Sequence, residues 1–205
     1  MSTASETLAR LKEGNARFCA CANKAGIESA TRAALADGQS PSAVILGCAD
    51  SRVSPELAFD QVLGELFVVR VAGHVVAAAA LESVELAVEQ LGAKLVVVLG
   101  HTGCAAVRAT LAEVQSPGTP AAEKLSAVIH HIKPPVEAVF SLRPEADQAA
   151  MMQESVRANI RHSASQLRED SAVISALVES GEVLVVGAEY SLETGAVEFI
   201  DGLPD

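Results

Sequence analysis

Aromatic residues are nearly absent: the 205 residues include one tyrosine, five phenylalanines and no tryptophan. Half the chain is apolar all the same, so its core must be built from Val, Leu, Ile and Ala. That composition suits a parallel sheet covered by Ala-rich helices. Positive charge is also scarce, with 15 Lys and Arg against 26 Asp and Glu and a formal net charge of −11. Phosphate backbones and anionic membranes are bound through cationic contacts, so neither nucleic acid nor a membrane is an expected partner. No run of about 18 apolar residues is present to span a bilayer, and no basic–apolar–small-residue leader opens the chain. Four cysteines in a chain of this size make no disulfide framework. Cytoplasmic residence is the expectation.

The length suits one domain over residues 1–205, divided into a helical arm (1–38) and an α/β core (39–205). In the arm, Leu8, Leu11 and Phe18 carry helical spacing, and a second segment runs from Ile27 to Ala36. So small an arm has little core of its own and is expected to pack on the rest of the molecule or on a partner chain. Strands are predicted at Ala43–Gly47, Leu66–Val71, Lys94–Leu99 and Val183–Val186. Helices fall between them, from Pro55, over Ala77–Leu91 and from Cys104 to about Val114. Helices dominate Ala121–Ser180, with breaks expected at Pro134-Pro135 and Pro144. A last strand, Ala196–Ile200, folds back across Glu193-Thr194-Gly195 as an antiparallel edge. The fold class is α/β: a twisted, mainly parallel sheet flanked by helices.

Two of the apolar runs end in glycine and then in chemistry. Ala43–Leu46 leads to Cys48 in GCADSR, and Leu95–Leu99 leads to His101 and Cys104 in GHTGC. Neighbouring parallel strands would bring these three soft ligands to one sheet edge. Two thiolates and an imidazole leave the fourth position of a tetrahedral zinc open, the catalytic arrangement. By spacing alone a second reading stands beside this one, since buried cysteine is common and a histidine often serves a local hydrogen bond. Asp50 and Arg52, directly after Cys48, favour the metal. A guanidinium fork pairs with a carboxylate in a way lysine would not reproduce.

Taken in order, C-x-D-S-R-V-x-P-E, F-V-V-R and G-H-x-x-C resemble the β-class carbonic anhydrases. Cys48, Asp50, Ser51, Arg52, Val53, Pro55, Phe67, Arg70, His101 and Cys104 carry the resemblance, which covers roughly residues 38 to 108. It implies Zn2+ held by Cys48, His101 and Cys104, and a homodimer or higher homo-oligomer. The implied reaction is reversible hydration of carbon dioxide to bicarbonate and a proton, with zinc-bound hydroxide as nucleophile. Asp50 is then a switch, either filling the fourth metal position or pairing with Arg52 and leaving room for water. Gln39, alone a polar loop residue, matches the plant-like branch, where it would hydrogen-bond substrate. Phe67, alone an ordinary strand residue, would line the carbon dioxide pocket. Departures from the family pattern are Ala105 in place of Gly, the run Arg70-Val71-Ala72-Gly73-His74 without its usual asparagines, and Leu86 in place of Tyr.

Hydrolysis of carbonyl sulfide or carbon disulfide at the same zinc is a rival reading, and a non-catalytic zinc or thiol regulator is another. His74 reads as a proton shuttle or a structural hydrogen-bonding residue, and Cys19 and Cys21 as bystander thiols. His130-His131 are expected at a helix end, and Glu82, Glu85 and Glu89 on a solvated face. Arg108, Arg157 and Arg161 are expected to pair with acids across helices.

Overall fold

Apolar runs without alternation demand burial on both faces, and β1 (Ala43–Gly47) and β3 (Leu95–His101) are buried at every position. They form the centre of a five-stranded sheet of order β2-β1-β3-β4-β5, where β2 is Leu66–Arg70, β4 Leu184–Tyr190 and β5 Val197–Asp201. The first four strands pair in parallel and β5 returns antiparallel to β4. The twofold strand repeat splits the side chains into two cores. Val44, Leu46, Val96 and Val98 pack on one side, and Ala43, Ile45, Leu95, Val97 and Leu99 on the other. The computed structural model describes residues 2–24, 29–143 and 145–204, and the side chains of 29–31 and 121–122 are not described.

The first core is covered by α4 (Ala78–Glu89), α5 (Ala105–Gln115), α7 (Ser126–Leu142), α8 (Gln148–Glu169) and α9 (Ala172–Glu179). Among the described residues the chain also forms the short α2 (Ser29–Ala34) and α6 (Pro120–Lys124).

The second side of the sheet is covered by the arm. Helix α1 (Ala4–Cys19) opens with a reciprocal cap, in which Glu6 N–H donates to Thr3 Oγ1 and Thr3 N–H donates to the Glu6 carboxylate. It buries Leu8 and Leu11 beside Phe59, at the end of the short α3 (Pro55–Ala58). Each such leucine contributes about 1.5–3 kcal/mol. The approach is close: a Cβ on Gly14 would lie 1.8 Å from the Phe59 carbonyl oxygen. Buried Asn15 then ties three segments together. Its Nδ2 donates to Ala58 O (3.0 Å) and Gly195 O (2.8 Å), and its Oδ1 accepts from Val197 N (2.8 Å). The arm therefore docks on its own chain.

Three expectations are corrected. Helix α7 runs unbroken through Pro134 and Pro135. The two missing N–H donors free the carbonyls one turn earlier, but Ile129, Ile132, Pro135 and Val136 form one buried face packed against α5 and α8. Tertiary burial overrides the local signal. His130 and His131 consequently lie within the helix, not at its end, with ring centroids 6.0 Å apart. β3 and β4 also run past their expected ends, because Gly100 pairs with Glu189 and His101 with Tyr190. The segment start at Ile27 and the break at Pro144 lie outside the described residues.

Asn15→Ala strands two buried carbonyls and an N–H. It should cost about 2–4 kcal/mol, read as a lower urea midpoint at unchanged slope. A loss below about 0.5 kcal/mol would mean that the arm contributes no docking.

Candidate metal centre

β1 and β3 pair in register, Gly47 opposite Leu99, so the segments that leave them emerge side by side. Cys48 follows β1 directly, His101 ends β3, and Cys104 caps the N-terminus of α5. Their ligand atoms all lie within 4.8 Å of one another, and the two sulfurs are 4.0 Å apart. All three residues are buried.

Each ligand is aimed by a neighbour. His101 Nδ1 lies 2.9 Å from Thr102 O. A carbonyl only accepts, so Nδ1 donates to it, and in the neutral ring Nε2 carries the lone pair. That buried Nε2 has no hydrogen-bond partner among the described residues. The Gly73 amide donates to Cys48 Sγ at 3.4 Å. Arg70 pins the loop between the ligands and Asp50, its Nε donating to Cys48 O (2.9 Å) and its Nη2 to Asp50 O (2.5 Å). Arg70 and Thr102 were legible as residues but not as roles, because backbone carbonyl acceptors leave no mark in a sequence.

Charge at the centre is negative. A hydrogen bond from the Cys104 thiol holds the Cys48 pKa well below its usual value, with smaller contributions from His101 and Gly73. The shared proton pushes Cys104 upward in turn. Burial alone would lower the pKa of His101, but the adjacent Cys48 outweighs it and the net shift is up. A buried anionic pocket with two sulfurs and an unpartnered imidazole nitrogen fits a soft divalent cation, and zinc is the metal such a donor set favours.

Beside the ligands, Asp50 and Arg52 form a two-pronged pair, Nε to Oδ1 at 2.9 Å and Nη2 to Oδ2 at 2.6 Å, with Arg52 N–H adding a third bond at 3.0 Å. The guanidinium holds the Asp50 carboxyl well below the usual carboxylate range. Arg52 is 57% exposed, so the pair adds little stability and acts mainly by orientation. Asp50 Oδ2 stands 3.8 Å from His101 Nε2, close to the ligand cluster yet committed to Arg52.

Other candidate residues are dispersed. Phe67, half-buried on β2, packs into the apolar cluster that contains Cys48 and Cys104. Gln39 is exposed and, with Leu35, Leu63 and Gly64, lines a cleft of about 570 Å³ that none of the three ligands borders. His74 is fully buried and accepts from Asn159 at Nε2 (3.0 Å), and burial lowers its pKa to about 4. Its role is structural. Cys19 and Cys21 are exposed free thiols. Glu82 and Glu89 are solvated, whereas Glu85 accepts from Ser171 Oγ, the cap of α9. Arg157 pairs with Glu189 and Glu198 on strands rather than across helices. Ala105 is exposed in the first turn of α5 and Leu86 is 42% exposed.

Comparison with known proteins agrees with this geometry. The family model described as "Carbonic anhydrase" matches residues 43–197. Carbonic anhydrase 2 of Mycobacterium tuberculosis is 41% identical over 186 residues, covering 90% of this chain and 87% of the relative. Among solved structures, the beta-carbonic anhydrase CcaA superposes with a TM-score of 0.76 at 25% identity, covering 97% of this chain and 93% of that one. A beta-carbonic anhydrase of Sordaria macrospora, described as tetrameric, gives 0.70 at 19% identity, covering 96% and 97%.

Two outcomes are expected of the site. Metal analysis should find one zinc per chain, falling to roughly a tenth or less in His101→Ala or Cys104→Ala, where a three-ligand site loses a ligand. Cys19→Ser and Cys21→Ser should leave the zinc content unchanged. Because His74 is held neutral, the unfolded chain binds the extra proton between the folded value of about 4 and the ordinary histidine value of 6.5. Stability should rise with pH across that window and level off above it. Denaturation of His74→Asn should show a shallower slope there, and an unchanged slope would remove the assignment.

Proposed function

This chain belongs to the β-class carbonic anhydrases, and we propose that it hydrates carbon dioxide reversibly to bicarbonate and a proton at a zinc held by Cys48, His101 and Cys104. The observation that carries this reading is the buried His101 Nε2, without a hydrogen-bond partner among the described residues, in a cluster with two sulfurs whose ligand atoms lie within 4.8 Å of one another. Zinc, when bound, supplies Lewis acidity that activates water for attack near neutral pH, lowering its pKa from about 15.7 toward 7 in carbonic anhydrases with three histidine ligands. Two thiolates donate more charge than imidazoles and set that value higher.

The chain's own residues do the rest. Asp50, kept ionised by Arg52, stands ready to accept a hydrogen bond from the attacking water and orient it. Its three bonds to Arg52 also commit it away from the ligand cluster, so the pair would act as a gate: released from Arg52, Asp50 would offer a fourth donor beside Cys48, His101 and Cys104. Phe67 contributes apolar surface suited to carbon dioxide. Gln39, exposed and away from the ligands of its own chain, reaches substrate only in an assembly. Its position therefore supports a homodimer or larger homo-oligomer. A reducing cytoplasmic setting suits the two thiolate ligands.

Stopped-flow hydration with the zinc-replete protein tests the reading, with sulfide release from carbonyl sulfide and carbon disulfide assayed on the same preparation. Activity should rise with pH through neutrality and be lost as pH falls, since the nucleophile must be deprotonated. Zinc-replete protein inactive toward carbon dioxide from about pH 6.5 to 9 would defeat the proposal. Asp50→Asn should lower kcat roughly 10–100-fold while zinc content holds; wild-type turnover would remove the role given to Asp50.

A further inference from the structure

Cys48 accepts its backbone hydrogen bond from a turn that local sequence does not favour. In the 3-10 turn Ala72–His74, Gly73 and His74 both take positive φ, 68° and 45°. The second is a non-glycine residue at positive φ, an uncommon conformation even though histidine adopts it more readily than most, and surrounding contacts hold it there. A Cβ on Gly73 would come within 2.6 Å of Ile132 Cδ1, so packing already seals one side. On the near side, Val71 N–H donates to Gly47 O (3.0 Å) and His74 N–H to Val71 O (2.9 Å).

On the far side, the side-chain hydrogen bonds to this turn among the described residues come from Asn159. Asn159, 1% exposed in the middle of α8, spends both N–H donors on this turn, one on Gly73 O (2.9 Å) and one on His74 Nε2 (3.0 Å). Two acceptors fix the amide's orientation, since the reverse flip would set oxygen against oxygen. They also fix the imidazole as the Nδ1–H tautomer. Asparagine is a poor choice for a helix interior, and neither zinc ligation nor the Asp50–Arg52 pair uses it.

We infer that Asn159 is a positioning residue for the metal centre: by clamping Gly73 and His74 it keeps the Gly73 amide on Cys48 Sγ and so tunes that thiolate as a ligand. The inference rests on the zinc site proposed above. A sulfur that accepts an N–H bond is fixed in direction and presents its remaining lone pairs to the metal, and losing such an outer partner costs roughly 10–100-fold in metal affinity. At 3.4 Å the bond has an ordinary length for a sulfur acceptor, and its direction depends on where the turn holds Gly73.

The test measures zinc affinity by chelator competition, together with thermal stability, in Asn159→Ala and in Leu167→Ala. Leu167 is buried on the same helix about two turns away and serves as the control for mere destabilisation. Asn159→Ala should raise the zinc dissociation constant roughly 10–100-fold, against less than about threefold for Leu167→Ala. Equal weakening at equal loss of melting temperature would make Asn159 only structural and overturn the role. A second measurement needs no variant. Wild-type protein loaded with a spin-active cadmium isotope should show coupling between the metal and the Gly73 amide proton through Cys48 Sγ, and its absence would also overturn the proposal. Wild-type chain that binds no zinc would instead sink the proposed function and this role with it.

Discussion

The parallel pairing of β1 with β3 constrains everything at the metal centre. Val44 lies against Val96 and Leu46 against Val98, so Cys48 and His101 leave the sheet at the same edge. A slip of one residue would turn each side chain to the opposite face. It would bury Cys48's neighbours in the wrong core and separate the ligands. Both strands are covered on both faces by close-packed aliphatic side chains, and that burial is what makes a slip costly.

Around this register the polar groups work as a single scaffold. Thr102 turns His101 by accepting from Nδ1 and, through its hydroxyl, holds the β4–β5 connection at Leu192 N. Arg70 closes the loop that carries Cys48 and Asp50. On the opposite side of the sheet Asn15 anchors the arm to the same β4–β5 turn. The salt bridges of Arg157 and Arg168 fasten α8 to the terminal strands. The proposed chemistry thus sits where two strands end, beside a carboxylate–guanidinium pair whose guanidinium is exposed.

How much of this could be read in advance depended on how local each cause is. The strands were legible because Ala43–Leu46 and Leu95–Leu99 are uninterrupted apolar runs, and the ligands because glycine and then Cys or His follow each run. The Asp50–Arg52 pair was legible because a single residue, Ser51, separates its members. Pro134 and Pro135 misled because a buried face of Ile129, Ile132 and Val136 outweighs two lost hydrogen bonds. The extra length of β3 and β4 was invisible because each is extended by the other across the sheet. Asn159 and Gly73 meet across 86 residues of chain, a distance no periodicity encodes.

By itself, then, the sequence determined the α/β class, the three candidate ligands and the pairing of Asp50 with Arg52, since each is written in short local runs of residues. Only the tertiary structure decided that His101 presents Nε2, that Gln39 stands apart from the ligands of its own chain, that His74 is buried and neutral, and that Asn159 reaches the Cys48 turn. Those outcomes depend on which carbonyls and side chains long-range packing brings within hydrogen-bonding distance, and a buried polar group takes its orientation from whatever partner it finds there.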